Sequence, residues 1–144
     1  MIHFHDEAHR KKVINYLQKE NKIYRDGKAD GYYLSAFYLL LSTKNGLYRK
    51  TIRYIDSDGI DFEQMLAKQD FSSGERKLIK LAANLFSGSI DVSPTELINT
   101  LDEENFMMAM QAIFLKRNGC RVKELLPDTR KVPELQLQPD LQLH

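Results

Sequence analysis

Apolar residues recur at helical spacing through most of the first 120 positions, and polar or glycine-containing breaks separate the runs. Val13, Ile14, Tyr16 and Leu17 form the inner side of a helix that Asp6 opens and that runs to about residue 22. Arg25-Asp26-Gly27-Lys28 is a turn, and Asp30 caps a second helix from 31 to about 43. That helix is apolar nearly all round, through Tyr32, Tyr33, Leu34, Phe37, Tyr38, Leu39, Leu40 and Leu41, which marks a buried central element. Asn45-Gly46 breaks it, and a short helix covers 47–55. Asp56-Ser57-Asp58-Gly59 then turns the chain, and Asp61 opens a helix over 62–69.

The run from Gln69 to Gly88 is the most sharply bounded helix in the chain. Serine and an acid start it, Leu78, Leu81, Ala82 and Leu85 form its apolar face, and Gly88 ends it. Asn84 interrupts that face, so it is expected to hydrogen-bond a buried backbone group or a residue such as His9 or Asp30. Ser93-Pro94-Thr95-Glu96 is a capping box with proline at the first helical position, and its helix ends near Leu101. Asp102 caps the last helix, 103–117, whose buried positions are expected at Phe106, Met107, Met110, Ile113 and Phe114. No alternating β-branched run of strand length precedes residue 130, so no sheet is expected. The fold class is all-α: about seven short helices around a buried central one, occupying 1–126.

From residue 127 the period changes to two. Leu135, Leu137, Leu141 and Leu143 share one face of an extended arm with Pro133 and Pro139, which bar it from a central strand. Residues 127–144 thus form a Leu/Gln/Pro tail that either lies on its own domain or reaches a partner chain, for instance by exchange in a homodimer.

Charge adds an asymmetry that the net value of +1 hides. Residues 1–54 hold eleven Lys/Arg against five Asp/Glu, 55–107 hold four against eleven, and 108–144 hold six against four. The basic and acidic blocks can pair with each other as the helices fold, which is favoured over a nucleic-acid footprint because the total is balanced. A single cysteine, Cys120, cannot form an internal bridge. The first residues carry no apolar signal core, and the longest apolar stretch, 32–41, is too short to span a bilayer. The expected location is cytoplasmic, without membrane association.

Chemistry-bearing constellations are few. His5 and His9 are four apart, but the order H-D-E-A-H puts Asp6 beside His5 and Glu7 on another face, unlike a zinc-hydrolase helix. His9 is expected to hydrogen-bond against a neighbouring helix. Asp56, Asp58, Asp61 and Glu63 surround Gly59, but setting that glycine at the sixth position of a calcium loop puts Tyr54 and Met65 where acids are required. Cys120 has no histidine near it in sequence, and no phosphate-binding glycine loop or nucleophile elbow occurs. Tyrosines 24, 32, 33, 38, 48 and 54 interleave with Arg25, Lys44, Arg49, Lys50 and Arg53. Such residues are more often core aromatics than base-stacking platforms.

Taken in order, several residues carry a resemblance: Phe4 with Glu7 and His9, Asp30 with Tyr32 and Tyr33, Arg49, then Gln69, Ser73 and the Leu81-Ala82-x-Asn84-Leu85 helix. Together they resemble a family of small, uncharacterised helical proteins found in phages and mobile elements of Gram-positive bacteria. The likeness covers roughly 4–88 and extends toward Arg117. Ala8 separates Glu7 from His9, a departure from the acid-His pair of that pattern. The resemblance implies no established activity, but suits an accessory factor that redirects or blocks host or defence machinery.

The expected function is therefore a non-catalytic protein-binding module without metal or cofactor. Its candidate partner-binding residues are Asp56, Asp58, Asp61, Glu63, Glu103 and Glu104, together with Leu135, Leu137, Leu141 and Leu143. Glu7, His9, Asp30, Gln69 and Asn84 are assigned structural roles. The alternative is nucleic-acid binding through the basic first third, and a third possibility is a metal-dependent hydrolase using His5, Glu7, His9 and Asp30.

Overall fold

Helix α2, Gly31–Leu40, is the centre of the molecule: every residue from Leu34 to Leu40 is buried. The computed structural model describes residues 1–127 and is mostly helical, at 65%. Around α2 lie α1 (Glu7–Lys19), α5 (Ser73–Ser87) and α7 (Glu103–Asn118), with α5 and α7 packing on it most extensively. The shorter α3 (Tyr48–Thr51), α4 (Phe62–Lys68) and α6 (Pro94–Thr100) complete the seven α-helices among the described residues. The all-apolar sequence of α2 explains its position, since burying each leucine contributes roughly 1.5–3 kcal/mol, more than an exposed charge pair could supply. Tyr32 is the departure from that all-round pattern. It is exposed, and the Lys116 ammonium sits 3.6 Å from its ring centroid.

Helix starts follow local chemistry. Asp6, Asp30, Asp61, Ser72, Ser93 and Asp102 each accept a hydrogen bond from a first-turn amide, and Ser72 and Ser93 complete capping boxes with Glu75 and Glu96. Gly88 ends α5 at φ +70, with its N–H on the Asn84 carbonyl at 2.8 Å. A Cβ there would meet no atom within 4 Å. Gly88→Ala is therefore expected to cost about 1 kcal/mol from the left-handed backbone alone, read as a lower urea midpoint with an unchanged slope.

Two expectations need correction. The Asp56–Gly59 turn is flanked by a two-stranded antiparallel hairpin, β1 (Ile55–Asp56) and β2 (Gly59–Ile60), in register Ile55 with Ile60. Strands of two residues leave no alternating pattern to read. On α7 the buried positions are Met108, Ala109, Ala112 and Leu115, whereas Met107, Met110, Ile113 and Phe114 are exposed and Phe106 is half-buried. The helix carries two apolar stripes. The one with small Ala109 and Ala112 faces inward, because it lets α7 approach closely.

The charge blocks do meet. Lys44 pairs with Asp102, and Lys50 pairs with Glu75 at 3.1 Å, so cations of the basic first third neutralise anions of the acidic middle. Among the described residues, no helix is long and apolar enough to cross a membrane.

Candidate functional site

The outward stripe of α7 forms the floor of a groove of about 1680 Å³. Met107 is 44% exposed, Met110 40% and Phe114 63%, spaced at i, i+3 and i+7 so that one face carries all three. The groove is larger than the roughly 300–1,000 Å³ of small-molecule pockets. Methionine suits such a floor, because its unbranched thioether adapts to varied partners.

Two chain segments wall the groove, and hydrogen bonds latch both. On one side, the amide of His3 donates to Gln111 Oε1 at 2.9 Å, and its carbonyl accepts from the Tyr38 hydroxyl at 2.5 Å. Its Nε2 lies 2.8 Å from Glu104 Oε1. On the other, Gly119 ends α7 at φ +65 and sends the chain back toward the α1–α2 loop. There Ala29 donates to the Cys120 carbonyl at 3.0 Å and Val122 donates to that of Gly27 at 2.9 Å. Cys120, Leu126 and Pro127 line this end.

Beneath the first wall, His9 is fully buried. Its Nδ1 accepts from the His5 amide at 3.0 Å, so Nε2 carries the ring proton and donates to the Tyr38 carbonyl of α2 at 2.6 Å. Burial pushes its pKa down from 6.5 to about 4, against the opposing effects of the Tyr38 carbonyl and Asp6. Phe4 packs edge-on against the imidazole at 5.1 Å. Both ring nitrogens are committed, which leaves His9 no lone pair for a metal. Glu7 pairs with Arg10, Asp30 caps α2 and His5 lies near Glu104, so the four hydrolase candidates do not gather. Burial likewise pushes the Cys120 thiol up to about 11, with Glu124 adding to the shift, which makes it a poor nucleophile at neutral pH.

Residues 1–124 match a family of unknown function, DUF6075. The chain belongs to this family. No curated protein and no solved structure matches the chain. The DUF6075 segment contains the groove floor and the first wall, whereas Leu125 and everything after it, including Leu126 and Pro127 at the end of the second wall, lie beyond the match.

Within the DUF6075 segment the acidic candidates sit on three elements: the 55–60 hairpin, α4 and α7. Asp56 accepts from the amides of Asp58 and Gly59 in the hairpin turn, and Asp61 caps α4. Asp58 and Glu63 are exposed. Glu103 stands at the groove rim, and Glu104 faces His3 and His5. Gln69 donates to the Tyr54 hydroxyl at 2.8 Å. Asn84 donates to the Ile90 backbone carbonyl at 2.8 Å, so its acceptor is backbone and neither His9 nor Asp30. Leu135, Leu137, Leu141 and Leu143 lie outside the described residues. Two of the tyrosine rings weighed as base platforms and read instead as core aromatics carry the chain's own cations: Lys12 and Arg49 over Tyr48, and Lys22 over Tyr33. Sequence reasoning missed the groove because it assigned Met107, Met110 and Phe114 to the core. The available signal was an excess: α7 has more apolar positions than one buried face can use.

Proposed function

We propose that this DUF6075 member is a non-catalytic protein-binding module that docks an apolar polypeptide segment in the α7 groove. The observation carrying this reading is the exposed Met107, Met110 and Phe114 stripe, held open between two hydrogen-bonded walls. An exposed apolar floor of this kind, with a polar rim, is what a partner surface requires. The commitment of His9 and the protonated state of Cys120 weigh against general-base and thiolate chemistry. The resemblance to proteins of Gram-positive phages and mobile elements supports a cytoplasmic accessory role, in which the module binds and modulates a host or defence protein.

Affinity capture from the native host tests the reading with two full-length variants. Met110→Asp with Phe114→Asp is expected to lower recovery of a specific partner by about tenfold or more, as loss of a buried anchor does. Asp58→Lys with Glu63→Lys, on the acidic surface, should leave recovery unchanged. Equal recovery across the groove variant and the parent chain would overturn the groove, and loss only in the acidic variant would move the site to the 56–63 segment.

A further inference from the structure

We infer that two copies of this chain pair antiparallel through the outward stripe of α7, across a two-fold axis. The pairing goes beyond the function proposed above and does not rest on it. Because it covers the same stripe, a partner polypeptide takes the place of the second copy.

Spacing along the helix makes the stripe its own complement. α7 runs from 103 to 118, so its midpoint falls between Met110 and Gln111, with Met107 and Phe114 equally far from it on either side. Turned end for end about that midpoint, the helix sets Met107 against the partner's Phe114 and leaves Met110 beside the axis, as an isologous interface requires. Each half then holds a thioether against an aromatic ring, a favourable contact.

Charge selects the antiparallel direction. Glu103 lines the groove at the start of α7, and Lys28, Arg121 and Lys123 line it at the other end, where Lys28 bridges to Arg121. All four are exposed, and none joins an ion pair among the described residues. Glu124, the acid at the basic end, is already engaged: its carboxylate accepts from the Arg121 amide at 2.8 Å. Antiparallel pairing therefore brings Glu103 to a basic cluster twice per dimer, whereas parallel pairing sets acid on acid and base on base. Opposed helix dipoles favour the same direction.

Area sets the strength. The exposed parts of Met1, Met107, Met110, Ile113, Phe114 and Leu126 come to roughly 600 Å² per copy, at about 200 Å² for a whole large side chain. Two copies thus bury roughly 1,200 Å², the lower end for a specific interface, which suits a dimer that dissociates in the micromolar range.

Sedimentation velocity of the full-length chain tests the pairing. The parent is expected to pass from monomer to dimer as concentration rises through the micromolar range, and Phe114→Asp should stay monomeric at about 500 μM. Glu103→Lys in one variant, and Lys28→Glu with Lys123→Glu in another, should each raise the dissociation constant about tenfold or more, because both symmetric contacts become repulsive. An equimolar mixture of these two variants should dimerise with the parent's constant, since in the mixed pair each position 103 meets net opposite charge. Misfolding of either variant cannot produce that restoration. A parent chain that is monomeric at the same high concentration would overturn the pairing, as would a dimer that Phe114→Asp leaves intact. A mixture no tighter than its separate components would overturn the antiparallel arrangement. The two readings fail separately: a monomeric parent whose partner recovery is lost with Met110→Asp and Phe114→Asp removes the pairing and keeps the function, while a dimeric parent whose recovery is indifferent to those changes does the reverse.

Discussion

Phe37→Ala is expected to lower unfolding free energy by about 3–5 kcal/mol, whereas Phe114→Ala, the same truncation, should stay within about 0.5 kcal/mol. Phe37 has no solvent exposure and packs against Tyr16 and Tyr33, while Phe114 is 63% exposed on the far side of α7. Truncating Phe37 leaves a cavity between helices that cannot fully close, and truncating Phe114 removes atoms that water already touches. Urea unfolding of the two variants, monitored by circular dichroism, provides the comparison. The contrast also settles which stripe of α7 faces inward, since an inward Phe114 would cost as much as Phe37.

Acidification is expected to remove about 3 kcal/mol of stability through His9 alone. The folded-state pKa of about 4 lies below the ordinary value of 6.5, so between those values the unfolded chain binds a proton that the native chain refuses. His9 therefore stabilises fully above pH 6.5, and its contribution declines as pH falls through the window down to 4. About 2 kcal/mol should already be gone at pH 5. Asp6 and Glu104, both held below the usual carboxylate range, give up their own contributions only as pH falls further: Asp6 chiefly through the Thr43 hydroxyl, Glu104 through His3 and His5 against the opposing effect of burial. His9→Gln isolates the histidine, because the amide can still donate to the Tyr38 carbonyl but does not titrate. Urea midpoints between pH 7.5 and 5 should be flatter for His9→Gln than for the parent, and identical slopes would show that His9 is not the group responsible.

The parts legible in the sequence are those set by neighbours along the chain. Asp6, Asp30, Asp61, Ser72, Ser93 and Asp102 cap their helices through amides two or three residues away, and Gly88 stops α5 by its own backbone freedom, so each can be read locally. The burial of α2 was equally legible, because no polar face offered an alternative. The orientation of α7 was not. Both of its stripes satisfy helical spacing, and the choice between them depends on whether small Ala109 and Ala112 or bulky Met110 and Phe114 meet α2. The groove was hidden for a related reason. Its walls depend on Lys28 meeting Arg121 and His3 meeting Gln111, pairs separated by most of the chain. The hairpin at 55–60 escaped because two-residue strands carry no period.

The central claim is that the outward stripe of α7 is where another polypeptide binds, and photo-crosslinking from that stripe in the native host tests it most directly. A benzophenone amino acid placed at position 110 of the full-length chain should give an adduct heavier than the chain itself, and the same group at position 58 should give none. Heavy adducts from position 58 with none from position 110 would contradict the claim and place the contact on the acidic hairpin.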